Sequence, residues 1–150
     1  VVHDMALLPE METIDLRWHA ISDPKLGKSG NFQIRYQDAA ISGKIVELNG
    51  NSLKVSVGHH EYKAPYNLTR QGDPLEQDRE AFVKISTKAK SFSVLTLFAV
   101  RENENELSAW INTKKGWSIV VKGVEYVIDR KDEGFRIYST NSADSGIYLE

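Results

Sequence analysis

The stretch "FSVLTLFAV" (residues 92–100) constrains the fold more than any other part of this 150-residue chain. Read with a period of two, Phe92, Val94, Thr96, Phe98 and Val100 oppose Ser93, Leu95, Leu97 and Ala99. A strand with apolar side chains on both faces has to be covered on both sides, so the chain needs two layers. Most other segments also read as strands. "VVHDMALL" (1–8) and residues 12–22 open the chain, and "NFQIRYQ" (31–37) follows a loop holding Pro24, Gly27 and Gly30. "ISGKIVELNGNSLKVSV" (41–57) places Asn49-Gly50 between two alternating runs, a strong hairpin signal because both residues tolerate positive φ. Its apolar side is Ile45, Leu48, Leu53, Val55 and Val57.

Residues 62–78, with two prolines and a glycine, read as the long loop, and "AFVKIST" (81–87) as the strand before the two-faced one. "RENENE" (101–106) reads as a charged turn. Residues 107–140 read as successive short strands divided at Lys115-Gly116, Lys122-Gly123 and Glu133-Gly134, with "GIYL" (146–149) closing an edge. Only residues 75–82 have room for a turn or two of helix, and nothing caps them. These patterns predict an all-β fold, an antiparallel β-sandwich of about ten short strands, forming one domain over residues 1–150.

Composition narrows the function classes. A chain of this length buries about two-thirds of its unfolded surface, so the core needs no staples. There is no cysteine, which excludes disulfides and thiolate metal sites. A net charge of −2 and a pI near 6.1, without a basic block, give no footprint for nucleic acid or an anionic membrane. Apolar runs such as "SIVV" (118–121) are too short to span a bilayer. The chain opens Val-Val-His-Asp with no signal-peptide pattern, and it ends in Leu149-Glu150, which fits a native end or a cloning junction. We therefore expect a processed or excised piece of something longer.

Candidate chemistry sits in three places. In "ETIDLRWHAISD" (12–23), Thr13, Asp15, Arg17 and His19 fall on one strand face, against Ile14, Leu16, Trp18 and Ala20 on the other. Successive members of such a stripe stand about 7 Å apart. That suits a solvated, salt-bridged face; it also suits a grip on a sugar carboxylate by Arg17, with His19 as a donor. In "GHHEYKAPY" (58–66), His59 and Glu61 oppose His60 and Tyr62, so two adjacent histidines cannot converge on one metal ion. His60, Tyr62 and Tyr66 instead make a polar-aromatic rim at the mouth of the long loop, or tyrosine lids on a strand end. Of the three tryptophans, Trp18 is core by pattern, Trp110 is ambiguous, and Trp117, just after a tight turn, is expected to be the most exposed.

Asn67-Leu68-Thr69 matches the N-glycosylation pattern, a frequent chance tripeptide. There is no glycine-rich phosphate loop, nucleophile elbow or HExxH run, and the order of Ser, His and Asp fixes no triad. No self-contained active site, metal or cofactor is expected.

The run "VVHDMALLPEMETIDLRWHAISD", ending its second strand in Trp18-His19, resembles a segment of heparinase II/III-like polysaccharide lyases. "FSVLTLFAVRENEN" resembles the stretch before the last hairpins of the same region, and the His-rich strand and the loop with Pro65, Tyr66 and Pro74 also fit. The likeness is one of pattern over most of the chain. It implies the C-terminal β-sandwich of a two-domain enzyme that cleaves uronate-containing polysaccharide by β-elimination, in the periplasm or outside the cell. The implied partners are a helical N-terminal domain of the same parent chain and an acidic polysaccharide. In such lyases a base removes the C5 proton, a tyrosine or histidine assists the leaving oxygen, and a polar group neutralises the uronate. Most of these groups come from the helical domain, and the histidine added by the early β region is expected to precede Val1. No catalytic residue carries over, and His19 does not inherit that role. The resemblance leaves Arg17, His19, His60, Tyr62 and Tyr66 as candidate substrate contacts. The alternative is an independent carbohydrate- or protein-binding sandwich.

Overall fold

The computed structural model describes residues 1–75, 79–102, 107–132, 134–141 and 147–149. Among the described residues there are eleven strands and no helix: β1 (Val2–Ala20), β2 (Lys25–Leu26), β3 (Asn31–Tyr36), β4 (Ala39–Glu47), β5 (Lys54–Glu61), β6 (Arg79–Glu102), β7 (Ile111–Asn112), β8 (Gly116–Val121), β9 (Val124–Lys131), β10 (Gly134–Ser139) and β11 (Ile147–Leu149). All pair antiparallel. A curled six-stranded sheet has the order β1-β6-β4-β3-β2, with β5 also on β6; a second sheet runs β11-β10-β9-β8-β7. The result is the expected all-β, sandwich-like fold.

The 24-residue β6 organises the molecule. Phe92 and Val94 enter the core of the curled sheet with Phe32, Ile34, Val83 and Ile85, and Phe98 packs against that cluster. Leu95 and Leu97 point the other way, into a second cluster with Trp110, Trp117, Ile119 and Ile128, which joins the two sheets. The two-faced alternation of residues 92–100 is thus realised as one strand shared by two cores. Burying each such side chain contributes roughly 1.5–3 kcal/mol.

Several expectations need correction. The two opening strands are one, β1, with an irregularity between Leu7 and Glu12; residues 81–87 and 92–100 are likewise one strand. Two of the strands are therefore long, at 19 and 24 residues. Asn49-Gly50 does turn the chain, with Gly50 at φ 84°, but it closes no hairpin. β4 pairs with residues 94–102 of β6 and β5 with residues 79–86, so the two lie end to end along one edge of β6 while β1 takes the other. The long edge of β6 offers each of them more pairing than they offer each other.

Trp117 is buried, at 8% exposure, because the second sheet turns it inward against Leu95 and Leu97. Arg101, read as part of a charged turn, is the buried end of β6: its guanidinium donates to Ser42 Oγ at 2.7 Å and Ser108 O at 3.1 Å. Residues 103–106 of that turn lie outside the described residues. Of the segment with room for a helical turn, residues 79–82 belong to β6, and 76–78 are outside the described residues. The short hairpins of the second sheet follow the expected divisions at Lys115-Gly116 and Lys122-Gly123, while Glu133 of the third division and Gly146 of the closing edge lie outside the described residues. Lys122 and Gly123, at φ 50° and 76°, turn β8 into β9, and β11 forms the edge.

Candidate functional site

The side of β1, β6 and β5 that faces away from the curled core forms a ladder of cross-strand rows. Residues directly opposite one another in antiparallel pairs present their side chains to the same face. Thr13 lies opposite Lys88; Asp15 opposite Ser86, itself opposite Lys54; Arg17, Lys84 and Ser56 make the next row; His19, Phe82 and Gly58 the next; and Glu80 with His60 the last. Sequence alternation placed Asp15, Arg17 and His19 together, and they are exposed as expected. It missed the β6 members, although "REAFVKISTKAK" (79–90) alternates in the same way, with Ala81, Val83, Ile85, Thr87 and Ala89 buried.

Aromatic and charged groups interlock on this face. The Arg17 guanidinium carbon stands 5.2 Å from the centroid of the Phe82 ring, and the His19 ring lies 5.6 Å from the same ring. Such a stack holds the planar cation with its edge free for a carboxylate. His19 Nδ1 pairs with Glu80 Oε2 at 3.0 Å. Asp15 accepts from Lys84 Nζ at 2.7 Å and Ser86 Oγ at 2.6 Å, while Arg17 Nη2 stands 3.7 Å from its carboxylate. Hydrogen bonds from Lys84 and Ser86, with the nearby positive charges, hold the Asp15 carboxyl below its ordinary pKa.

His19 of β1 and Tyr62, the residue just after β5, line one recess of about 240 Å³, together with Ala20, Ile21 and Glu80. His60 meets Tyr62 edge-on, with ring centroids 6.5 Å apart. Arg17, His19, His60 and Tyr62 are therefore brought onto one surface. Tyr66 sits in the long loop, 78% exposed, and contributes no residue to that recess. His59 faces the opposite way, where its Nε2 meets Asp23 Oδ1 at 2.7 Å; this contact lowers the Asp23 pKa.

The ladder carries Lys54, Arg17, Lys84 and Lys88 against the carboxylates of Asp15 and Glu80, an excess of two positive charges on a chain whose net charge is −2. Rows about 7 Å apart on a polar-aromatic surface suit an extended anionic chain. The Ser86 hydroxyl is taken by Asp15, to which its Oγ donates, and His19 is held by Glu80. Among the described residues, no three histidine, aspartate or glutamate side chains converge as metal ligands. Exposed cations, imidazoles and aromatic rings in these rows can hold an anionic ligand. Comparison with protein-family models, with curated proteins and with solved structures finds no match for this chain.

Proposed function

We propose that this domain is a non-catalytic β-sandwich module that binds a uronate-containing polysaccharide on the β1–β6–β5 face, within a lyase of the kind the sequence resembles. The observation that carries this reading is the Arg17–Phe82 stack beside His19, His60 and Tyr62, on a face with surplus positive charge. Arg17 is the cation to meet a sugar carboxylate. Lys84 already holds Asp15 at 2.7 Å, whereas Arg17 touches that carboxylate only at 3.7 Å. The Phe82 ring and the Tyr62 edge supply apolar surface for the sugar's C–H faces, and His19 and His60 supply donors. The exposed Met5, Leu7 and Met11 of β1 support the second half of the reading, in which the module packs on a helical domain of the parent chain.

The test is a titration of the domain with uronate-containing oligosaccharides at low salt, followed by NMR shift perturbation. Saturable shifts are expected around Arg17, His19, His60 and Tyr62, weakening as salt rises, because surface charge contacts are screened. Arg17→Ala lowers the affinity at least several-fold. No shifts across the panel, or equal affinity in Arg17→Ala, would overturn the reading.

A further inference from the structure

A second cationic site lies away from that face, at the flank where β4 meets the β7–β8 turn. There a groove of about 530 Å³ is lined by Ser29, Lys44, Glu47, Lys114, Lys115 and Arg130, among others. Lys44 is the unusual member. It is only 3% exposed, in the middle of β4, on the face the second sheet covers. Its Nζ donates to Ser29 O at 2.8 Å, and among the described residues no carboxylate pairs with it. An ammonium has three donors, and a buried one without a counter-charge is costly.

The surroundings are built rather than incidental. Ser29 and Gly30, at φ 54° and 76°, form the turn that presents the Ser29 carbonyl to Lys44. A Cβ at position 30 would stand 2.4 Å from Ile45 O, so only glycine fits there. Glu47, the one acidic residue lining the groove among the described residues, has both carboxylate oxygens engaged by the loop that follows, from the Gly50 and Asn51 backbone N–H groups and Asn51 Nδ2. Its hydrogen bonds face the loop and no ion pair joins it to Lys44, Lys114, Lys115 or Arg130 among the described residues, so four cations share the groove with a single carboxylate.

We infer that this groove is an oxyanion site, with Lys44 as its buried cation and Lys114, Lys115 and Arg130 as its mouth, taking a carboxylate or sulfate group. The site shares no residue with the β1–β6–β5 face, so it stands or falls separately from the polysaccharide reading. A bound oxyanion supplies the counter-charge that Lys44 lacks and accepts its remaining donors. Burial, which draws the Lys44 pKa down, makes that counter-charge count for more than it would on the surface.

The test titrates the whole chain with sulfate, glucuronate and glucose, with ionic strength held constant by chloride, and follows the Gly30 and Gly116 amides and the Trp117 indole by NMR. Saturable shifts at these positions with sulfate and glucuronate, and none with glucose, are expected. Equal affinity for the two anions means the oxyanion alone is recognised; tighter glucuronate binding means the sugar ring is read as well. Lys44→Met should weaken binding at least tenfold while the native spectrum persists. Should that variant not fold, Lys115→Gln and Arg130→Gln, both at exposed positions, should each weaken binding several-fold, and Arg17→Ala should leave it unchanged. No saturable shift, or unchanged affinity in the groove variants, would overturn the inference.

Discussion

The Phe82 ring occupies the space above Gly58: a Cβ at position 58 would stand 2.5 Å from ring carbons Cε2 and Cζ. The absence of a side chain on β5 thus sets where the ring lies on β6, and the ring in turn carries Arg17 and His19. Gly43 stands in the same relation to Phe32, with a Cβ 2.0 Å from its Cζ, but Phe32 is 1% exposed and walled in by the core. The two substitutions should separate. Gly58→Ala pushes a half-exposed ring aside, at a cost of about 1 kcal/mol, and disrupts the ladder; Gly43→Ala overpacks a closed core and costs about 3 kcal/mol. Urea unfolding midpoints measure the difference. Equal costs would mean that Phe82 is as tightly enclosed as Phe32.

Asp15 makes a prediction in pH. Its carboxyl is held below the ordinary value by hydrogen bonds from Lys84 and Ser86 and by the charges of Lys84 and Arg17. A carboxylate whose folded pKa is depressed adds stability that is fully present above its unfolded pKa and disappears as pH falls through the folded one. Asp23, held by His59, and Glu102, held by Lys122, have the same sign. The melting temperature should therefore fall as the solution is acidified below about pH 4, and Asp15→Asn should fall less steeply over that window. A carboxyl NMR titration should place the Asp15 midpoint below that of an unperturbed aspartate, and Lys84→Met should move it up. An unmoved midpoint in Lys84→Met would mean that the ion pair does not form in solution.

What the sequence made legible was local. Period-two alternation identified which residues of β1, β5 and the second half of β6 share a face, and paired turn residues such as Lys122-Gly123 located the hairpins of the second sheet. Pairing over long separations was not legible. Asn49-Gly50 announces a turn, yet whether its flanking strands pair with each other depends on the competing edge of β6, which begins at Arg79. For the same reason the approach of His19 to Tyr62 was hidden, since β6 lies between β1 and β5, which Tyr62 follows. Burial was misjudged where a polar neighbourhood masked a covered surface. Trp117 follows a glycine turn and Arg101 opens an acidic run; packing between the two sheets buries both, as it does Lys44, on whose burial the sequence pattern was silent.

Glu47 links the turn that is not a hairpin to the groove beside it. Its Oε2 accepts from the Gly50 and Asn51 backbone amides and its Oε1 from Asn51 Nδ2, while Asn49 and Asn51 reach across to Ser91 Oγ and Ser91 O. These bonds carry the chain from the end of β4 to the start of β5 along the same edge of β6. Glu47→Gln keeps the shape but removes the charge and part of the accepting capacity, so folding stability should drop by about 1 kcal/mol, the loop being open enough for water to replace what is lost. The same change removes the one carboxylate that lines the inter-sheet groove among the described residues, and sulfate affinity there should rise several-fold. Stability falling while anion affinity rises is the expected pair of results, from unfolding curves and sulfate titrations of one variant. A fall in both would instead mean that the Glu47 loop shapes the groove, and that its charge matters less there than its position.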